Sequence, residues 1–232
     1  MNRDACFRQI ERKFTHKIPS AEPQNRFFVN ISINRISFRS PIVNCKFAYF
    51  RLVKISGPDY QLIVQALEHL PLRKDLRREF YRTRTNELLK TIFGVTEQLT
   101  RLDSGAPVLA SRFISISHSE EFLAVLVSGS PCGIDVQVPD RELNRGKDWF
   151  YNDEERQVFG SETSEDELYR IWCAKEAFYK MKQGKIDDLR SDVSVIRLHE
   201  EKAIVRHLGK DYTVVLPVNE LYHLAYCLES SS

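Results

Sequence analysis

The sequence predicts a protein of mixed α and β structure. Alternating side chains in segment 46–55 indicate a strand with one buried face. Further on, three strand candidates follow one another directly: Phe113–Ser117, Phe122–Val127 and Gly133–Val138. Two longer segments, about Leu72–Phe93 and Leu168–Gln183, have helical spacing and each end at a glycine. The two halves of the chain therefore share a coarse order of strands followed by a charged helix, with little similarity between individual residues.

Local signals predict several element boundaries. Gly57, Pro58 and Asp59 form a predicted turn, and Asp59 is expected to cap a helix over Tyr60–Leu70. Asn152 begins a short predicted helix, and Glu155 three residues later completes a capping box. Residues 1–25 are polar and basic, which predicts a loose N-terminal extension.

Composition excludes several classes of protein. The 232 residues are 42% hydrophobic and 28% charged, which is typical of a soluble globular protein, and a net charge of +2 does not favour nucleic acid as a partner. The five cysteines are dispersed, as in a reduced cytosolic protein. Neither a signal peptide nor an apolar stretch of about 20 residues is evident, so we expect a cytoplasmic protein without membrane attachment.

Basic residues concentrate in the first predicted helix. The cluster consists of Arg73, Lys74, Arg77, Arg78, Arg82 and Arg84. Such a run is either a solvated helix face or a surface for a phosphate-bearing or acidic partner.

The segment Gly133–Val138 places polar groups on a strand. Ile134 and Val136 share the face expected in the core, so Asp135 and Gln137 project together from the other face. Gly133 is expected to leave room there for a ligand to approach the backbone.

The second helix has an apolar stripe that predicts its core face: Ile171, Ala174, Phe178 and Met181. Glu176 and Lys180 lie one turn apart on nearly the opposite side, with Trp172 one turn before Glu176. They are either an exposed ion pair or part of a ligand-facing surface.

Together these segments resemble the 4′-phosphopantetheinyl transferase signature. Its two halves here are Gly133-Ile134-Asp135 and Trp172-Cys173-Ala174-Lys175-Glu176-Ala177-Phe178-Tyr179-Lys180, and Glu176 follows Asp135 by 41 positions. Ile116-Ser117-His118-Ser119 is similar to the family's I-S-H-S stretch, and Phe150–Glu154 is similar to its F-x-x-x-E element. The resemblance covers about residues 70–190, and is to the larger, single-chain, surfactin-synthetase-activating type.

The resemblance implies an α+β fold of two similar, pseudo-twofold related halves, each a small antiparallel sheet with a long helix. The halves would be residues 1–110 and 111–232, the second carrying the metal site, with coenzyme A between them. A chain of this length is expected to act as a monomer.

The resemblance also implies the reaction and its residues. The enzyme would transfer 4′-phosphopantetheine from coenzyme A to a serine of an apo acyl or peptidyl carrier protein, releasing adenosine 3′,5′-bisphosphate. Asp135, Glu176 and Gln137 would ligate Mg²⁺, and Glu176 and Lys180 would act in catalysis. The expected coenzyme A contacts are Arg84, Ser117, His118 and Lys175. Glu154 would lie close to the metal site.

Two departures leave alternatives open. Gln137 stands where family members often carry an acidic residue, and Ala106 stands where the loop before Pro107 often has a basic one. A catalytically impaired relative that only binds coenzyme A or a carrier protein is therefore an alternative. The other is an adaptor that binds an acidic partner through residues 72–84.

Overall fold

The fold is α+β and contains two five-stranded antiparallel sheets. It is taken from a computed structural model that describes residues 32–33, 52–71, 73–139, 143 and 145–229. The predicted extension at residues 1–25 and positions 46–51 of the first predicted strand lie outside the described residues. None of the helices in the described ranges has both the length and the apolar character needed to cross a bilayer.

The first sheet is built from strands on both sides of the first helix. Its strand order is β1-β2-β3-β7-β6. The strands are β1 (Ser32–Ile33), β2 (Leu52–Ser56), β3 (Tyr60–Ala66), β6 (Phe113–Ser119) and β7 (Phe122–Ser128). Helix α1 (Lys74–Thr91) and a short hairpin of β4 (Thr100–Arg101) and β5 (Pro107–Val108) lie between β3 and β6 in the chain.

The second sheet is formed by the C-terminal part of the chain, in the order β8-β12-β11-β10-β9. The strands are β8 (Cys132–Gln137), β9 (Ser194–His199), β10 (Lys202–His207), β11 (Lys210–Val215) and β12 (His223–Leu228). Between β8 and β9 come a 3₁₀ helix (Lys147–Trp149), α2 (Asp153–Phe159), α3 (Glu165–Met181) and α4 (Leu189–Asp192).

The predicted helix over Tyr60–Leu70 is wrong. Tyr60–Ala66 is strand β3, and Gly57–Asp59 is the turn of the hairpin that joins it to β2. Residues 62–65 are all buried because one face of β3 contacts the α1 core while the other contacts the second sheet. A strand buried on both faces lacks the alternation by which strands are recognised in a sequence.

The predictions for the remaining helices are confirmed, with small shifts of their ends. Gly94, just beyond α1, has a φ of 65°, as its predicted role after the helix requires. The capping box of Asn152 and Glu155 is present at the start of α2. Helix α3 begins at Glu165, three residues before the predicted start, because Ser164 and Glu167 form a second capping box.

Three apolar clusters hold the layers together. One lies between α1 and the first sheet, one between the two sheets, and one between α3 and the second sheet. The two sheets are therefore packed face to face with one long helix on each outer side. The predicted apolar stripe of α3 is confirmed, since all four of its residues are buried in the third cluster.

A row of serines joins the edges of the two sheets. Strand β6 ends the first sheet and β8 ends the second, and Ser115, Ser117 and Ser119 project from β6 toward β8. The hydroxyl groups of Ser115 and Ser119 accept hydrogen bonds from the backbone N–H groups of Ile134 and Val138, at 3.0 and 2.9 Å. Serine hydroxyl groups thus accept hydrogen bonds from backbone N–H groups of the edge strand β8, which would otherwise be buried without partners.

The chain changes from the first sheet to the second between Ser128 and Cys132. Strands β6 and β7 lie after residue 110 yet belong to the first sheet. The domain division and the pseudo-twofold relation of the halves stay predictions.

Candidate active site

Asp135 lies at the junction of the two sheets. Its Oδ1 accepts hydrogen bonds from Ser117 Oγ of β6 and Lys180 Nζ of α3, both at 2.7 Å. Lys180 Nζ also donates to Ser117 Oγ at 3.1 Å. The signature strand and the signature helix, separated by more than forty residues in the chain, thus meet in one hydrogen-bonded triad. Asp135 is 5% exposed, so these contacts are shielded from water.

The second carboxylate oxygen of Asp135 is unusual. Oδ2 is buried and has no hydrogen-bond partner among the described residues. A buried carboxylate oxygen without a donor is costly unless a ligand completes its environment. A cation at this atom would complete its environment, next to the fully buried Cys173 thiol that also interacts with the Asp135 carboxylate.

Glu176 lies on the same helix, one turn before Lys180, and is half-buried. Burial raises the pKa of Glu176, and the nearby Asp135 carboxylate adds to the shift, while the Lys180 ammonium partly opposes it. The raised pKa makes Glu176 a stronger base than an exposed glutamate once it is ionised.

Gly133 serves packing and does not leave a ligand space, contrary to expectation. A Cβ atom added there would lie 1.8 Å from the carbonyl oxygen of Ala177 and 2.7 Å from the nitrogen of Met181. The backbone of α3 therefore rests directly on β8. This close approach brings the face of α3 that carries Glu176 and Lys180 to Asp135, two residues along the strand.

The expectation that Lys175 contacts coenzyme A is wrong. Its side chain is fully buried, as is that of Glu155, and the two groups form an ion pair at 3.1 Å. Lys175 Nζ also donates to the carbonyl oxygen of Phe150 at 2.5 Å. Glu155 accepts two further hydrogen bonds, from the backbone N–H groups of Asn152 and Val195. Lys175 therefore ties α3 to α2 and has no surface for a soluble ligand.

Ser117 and His118 point to opposite faces of β6. Ser117 is buried, and its hydroxyl contacts Asp135 and Lys180, so it orients the triad. Its expected contact with coenzyme A stays a prediction. His118 is exposed at the strand end, where its ring stacks on that of Tyr81 of α1, with centroids 4.0 Å apart. Loss of water from the stacked ring lowers the pKa of His118, and the Lys180 ammonium adds to this effect.

The remaining predicted residues lie in different surroundings. Arg84 is on α1, one turn after Tyr81, where it pairs with Glu87 at 2.7 Å and lies over the Phe80 ring. Gln137 is half-buried on β8, and its amide donates weakly to the carbonyl oxygen of Val138 at 3.4 Å.

Glu154 pairs with Arg206 of β10 at 3.4 Å, and β12 and β11 lie between β10 and β8 in the second sheet. Its expected position close to the metal site stays a prediction.

Among the residues that the structure describes, no group of three or more histidine, cysteine, aspartate and glutamate side chains is arranged to hold a metal ion. The carboxylates of Asp135 and Glu176 nonetheless fit magnesium, which prefers oxygen ligands and keeps several waters. The unpartnered Oδ2 of Asp135 supports this fit.

A cavity of about 270 Å³ lies between the β4–β5 hairpin, the start of β6 and the residues that follow α3. Its lining includes Leu102, Pro107, Arg112, Phe113 and Gln183. None of Ser117, Asp135 and Lys180 belongs to this lining, and Phe113 precedes Ser117 by four residues on β6.

The tertiary contacts of three buried residues were not predicted from the sequence. Tyr81, Cys173 and Glu155 are all buried. The Glu155 capping box is visible in the sequence, but its contact with Lys175 joins positions twenty residues apart and has no local signal.

Comparison with known proteins agrees with this architecture. Residues 131–227, somewhat less than half of the chain, match the family model of the 4′-phosphopantetheinyl transferase superfamily. The matched range contains Asp135, Glu176 and Lys180. A comparison with curated proteins finds no match to the chain. The family match supports phosphopantetheine transfer as the general chemistry.

Proposed function

We propose that the protein transfers 4′-phosphopantetheine from coenzyme A to a serine of an apo carrier protein. The observation that carries the proposal is the contact of Lys180 with Asp135, which unites the two signature segments within the matched domain. The serine oxygen forms a bond to the β-phosphorus of coenzyme A as the bond to the bridging oxygen breaks. Adenosine 3′,5′-bisphosphate leaves, and the serine proton passes to Glu176.

Each residue of the triad has a separate part in this proposal. Asp135 and Glu176 would hold a magnesium ion, which when bound supplies positive charge to the diphosphate. Lys180 lies beside them, so its ammonium can neutralise charge on the leaving phosphate. Ser117 holds the Asp135 carboxylate in place through its hydrogen bond.

The nucleotide end of coenzyme A would lie along β6. His118 and Arg84 would contact the 3′-phosphate from the side of α1. A neutral imidazole can still donate one N–H to a phosphate, so the lowered pKa of His118 is compatible with this contact.

The catalytically impaired relative remains the second candidate because of Gln137. A neutral amide at this position leaves two carboxylates near the site, and magnesium affinity falls with ligand charge. The adaptor is less well supported, because several arginines of the basic segment are already paired. Arg73 pairs with Asp75, Arg77 with Glu120 and Arg82 with Glu79.

Incubation of apo acyl and peptidyl carrier proteins with coenzyme A, magnesium and this protein tests the proposal. We expect the intact mass of one carrier to rise by one phosphopantetheine group, and a carrier with its serine replaced by alanine to stay unmodified. Coenzyme A binding without any mass change would favour the impaired relative. Absence of both binding and transfer would overturn the proposal.

A further inference from the structure

Tyr81 is a buried tyrosine of the basic helix whose ring lies flat on His118. The ring centroids are 4.0 Å apart and the planes differ by 5°. Tyr81 is 7% exposed, whereas His118 is exposed at the end of β6. Only one of the two rings therefore has free surface for a ligand.

Tyr81 also contacts the turn that follows His118. Its hydroxyl donates a hydrogen bond to the carbonyl oxygen of Glu120, in the turn between β6 and β7. Arg77, one turn earlier on α1, contacts the Glu120 carboxylate at 3.4 Å and the carbonyl oxygen of Pro71 at 2.8 Å. Helix α1 is thus attached to this turn at two points.

An isolated histidine does not hold its ring plane well. The torsion that rotates an imidazole about its last side-chain bond has broad minima, so an exposed ring samples many orientations. Stacking on a fixed ring removes most of that freedom. One ring nitrogen interacts with the backbone of His118 itself, and the ring edge presents the other nitrogen for a hydrogen bond in the ring plane.

We propose that Tyr81 is a positioning residue that presents the edge of His118 to the 3′-phosphate of coenzyme A. The inference rests on the proposed function for the identity of the ligand. Tyr81 acts through His118 and does not itself touch the nucleotide. Its hydroxyl matters less than its ring, because the hydroxyl bonds to the protein backbone.

A double-mutant cycle on coenzyme A binding, measured by calorimetry without any carrier protein, tests this role. Tyr81→Leu should weaken binding about two- to tenfold, the range expected for loss of one aromatic contact. Tyr81→Phe, which keeps the stack, should bind nearly as wild type. In a His118→Ala background, Tyr81→Leu should have no further effect. Phe93→Leu is the control, since Phe93 is equally buried in the same cluster, at 8% exposure, and is not stacked on His118.

A spectroscopic measurement tests the stack without ligand. The ring-proton resonances of His118, identified among the six histidines by their loss in His118→Ala, should move downfield in Tyr81→Leu as the ring-current shielding disappears. They should stay in place in Tyr81→Phe and Phe93→Leu.

Equal weakening by Tyr81→Leu with and without His118 would overturn the inference, as would unchanged binding or unmoved resonances. Binding that shows the predicted coupling, together with absent transfer to every carrier, would overturn only the proposed function. A wild-type protein that does not bind coenzyme A would overturn both.

Discussion

Replacing Lys175 with methionine removes a cation that is fully buried together with its partner. Its ammonium is 3.1 Å from Glu155, and neither side chain has exposed surface. The substitution leaves the Glu155 carboxylate buried without its counter-ion. Loss of one partner from such a pair costs about 3–5 kcal/mol. In a chain of 232 residues this corresponds to a fall in Tm of about 6–20 °C.

The loss of stability should depend on pH. Burial raises the pKa of Glu155, and Lys175 opposes that shift in the wild type. Without the lysine, the folded-state pKa of Glu155 rises further above its unfolded value. A group of this kind stabilises the fold while it is protonated, and this contribution is lost as the pH rises through the folded-state pKa. We therefore expect Lys175→Met to be closer to wild type at pH 5 than at pH 8.

A second substitution provides the matched control. Glu155→Gln, added to Lys175→Met, removes the unpaired charge while its amide oxygen can still accept a backbone hydrogen bond from Asn152 or Val195. The double variant should melt above Lys175→Met at pH 8. Thermal unfolding followed by circular dichroism measures these differences. The coenzyme A affinity of Lys175→Met, measured below the lowest Tm, should equal that of the wild type. If Lys175→Met had a normal Tm and bound coenzyme A tenfold more weakly, Lys175 would contact the ligand.

Three further predictions concern β8 and α3. Gly133→Ala should destabilise the fold by about 3 kcal/mol or more, because its Cβ would lie 1.8 Å from the Ala177 carbonyl oxygen. Gly129→Ala is the control and should cost little, since the atom nearest to its Cβ is 3.9 Å away. Equal denaturant midpoints for the two variants would contradict this packing. Glu176→Gln should lower kcat about 10²–10⁴-fold at unchanged Tm. A variant with normal turnover would exclude Glu176 as the base. Gln137→Glu should lower the magnesium concentration needed for half-maximal transfer, and a titration identical to wild type would mean that residue 137 lies away from the ion.

Much of the local structure could be predicted from the sequence because its causes are local. The Asn152–Glu155 capping box, the glycine after α1 and the apolar stripe of α3 each depend on residues within a few turns of one another. The signature segments were likewise visible, because the order and spacing of their residues are preserved along the chain. These features identified the candidate residues Asp135, Glu176 and Lys180.

The error at Tyr60–Leu70 has a different cause. Asp59 precedes a largely apolar segment, and a helix cap and a hairpin turn use the same residue types. Strand pairing determines the structure of this segment, since Tyr60–Ala66 pairs with β2 and with β7, which is distant in the chain.

By itself, the sequence determined which residues are candidates for the chemistry, whereas the tertiary structure decided what each of them contacts. Lys175 and Glu176 are adjacent in the chain, yet the first is fully buried against Glu155 and the second lies beside Asp135. The cause is the rotation of α3 about its axis. That rotation is determined where the helix backbone rests on Gly133, and neighbouring helical residues point about 100° apart. Burial of a charged side chain is a property of the packed layers, and no pattern within one helix reveals it.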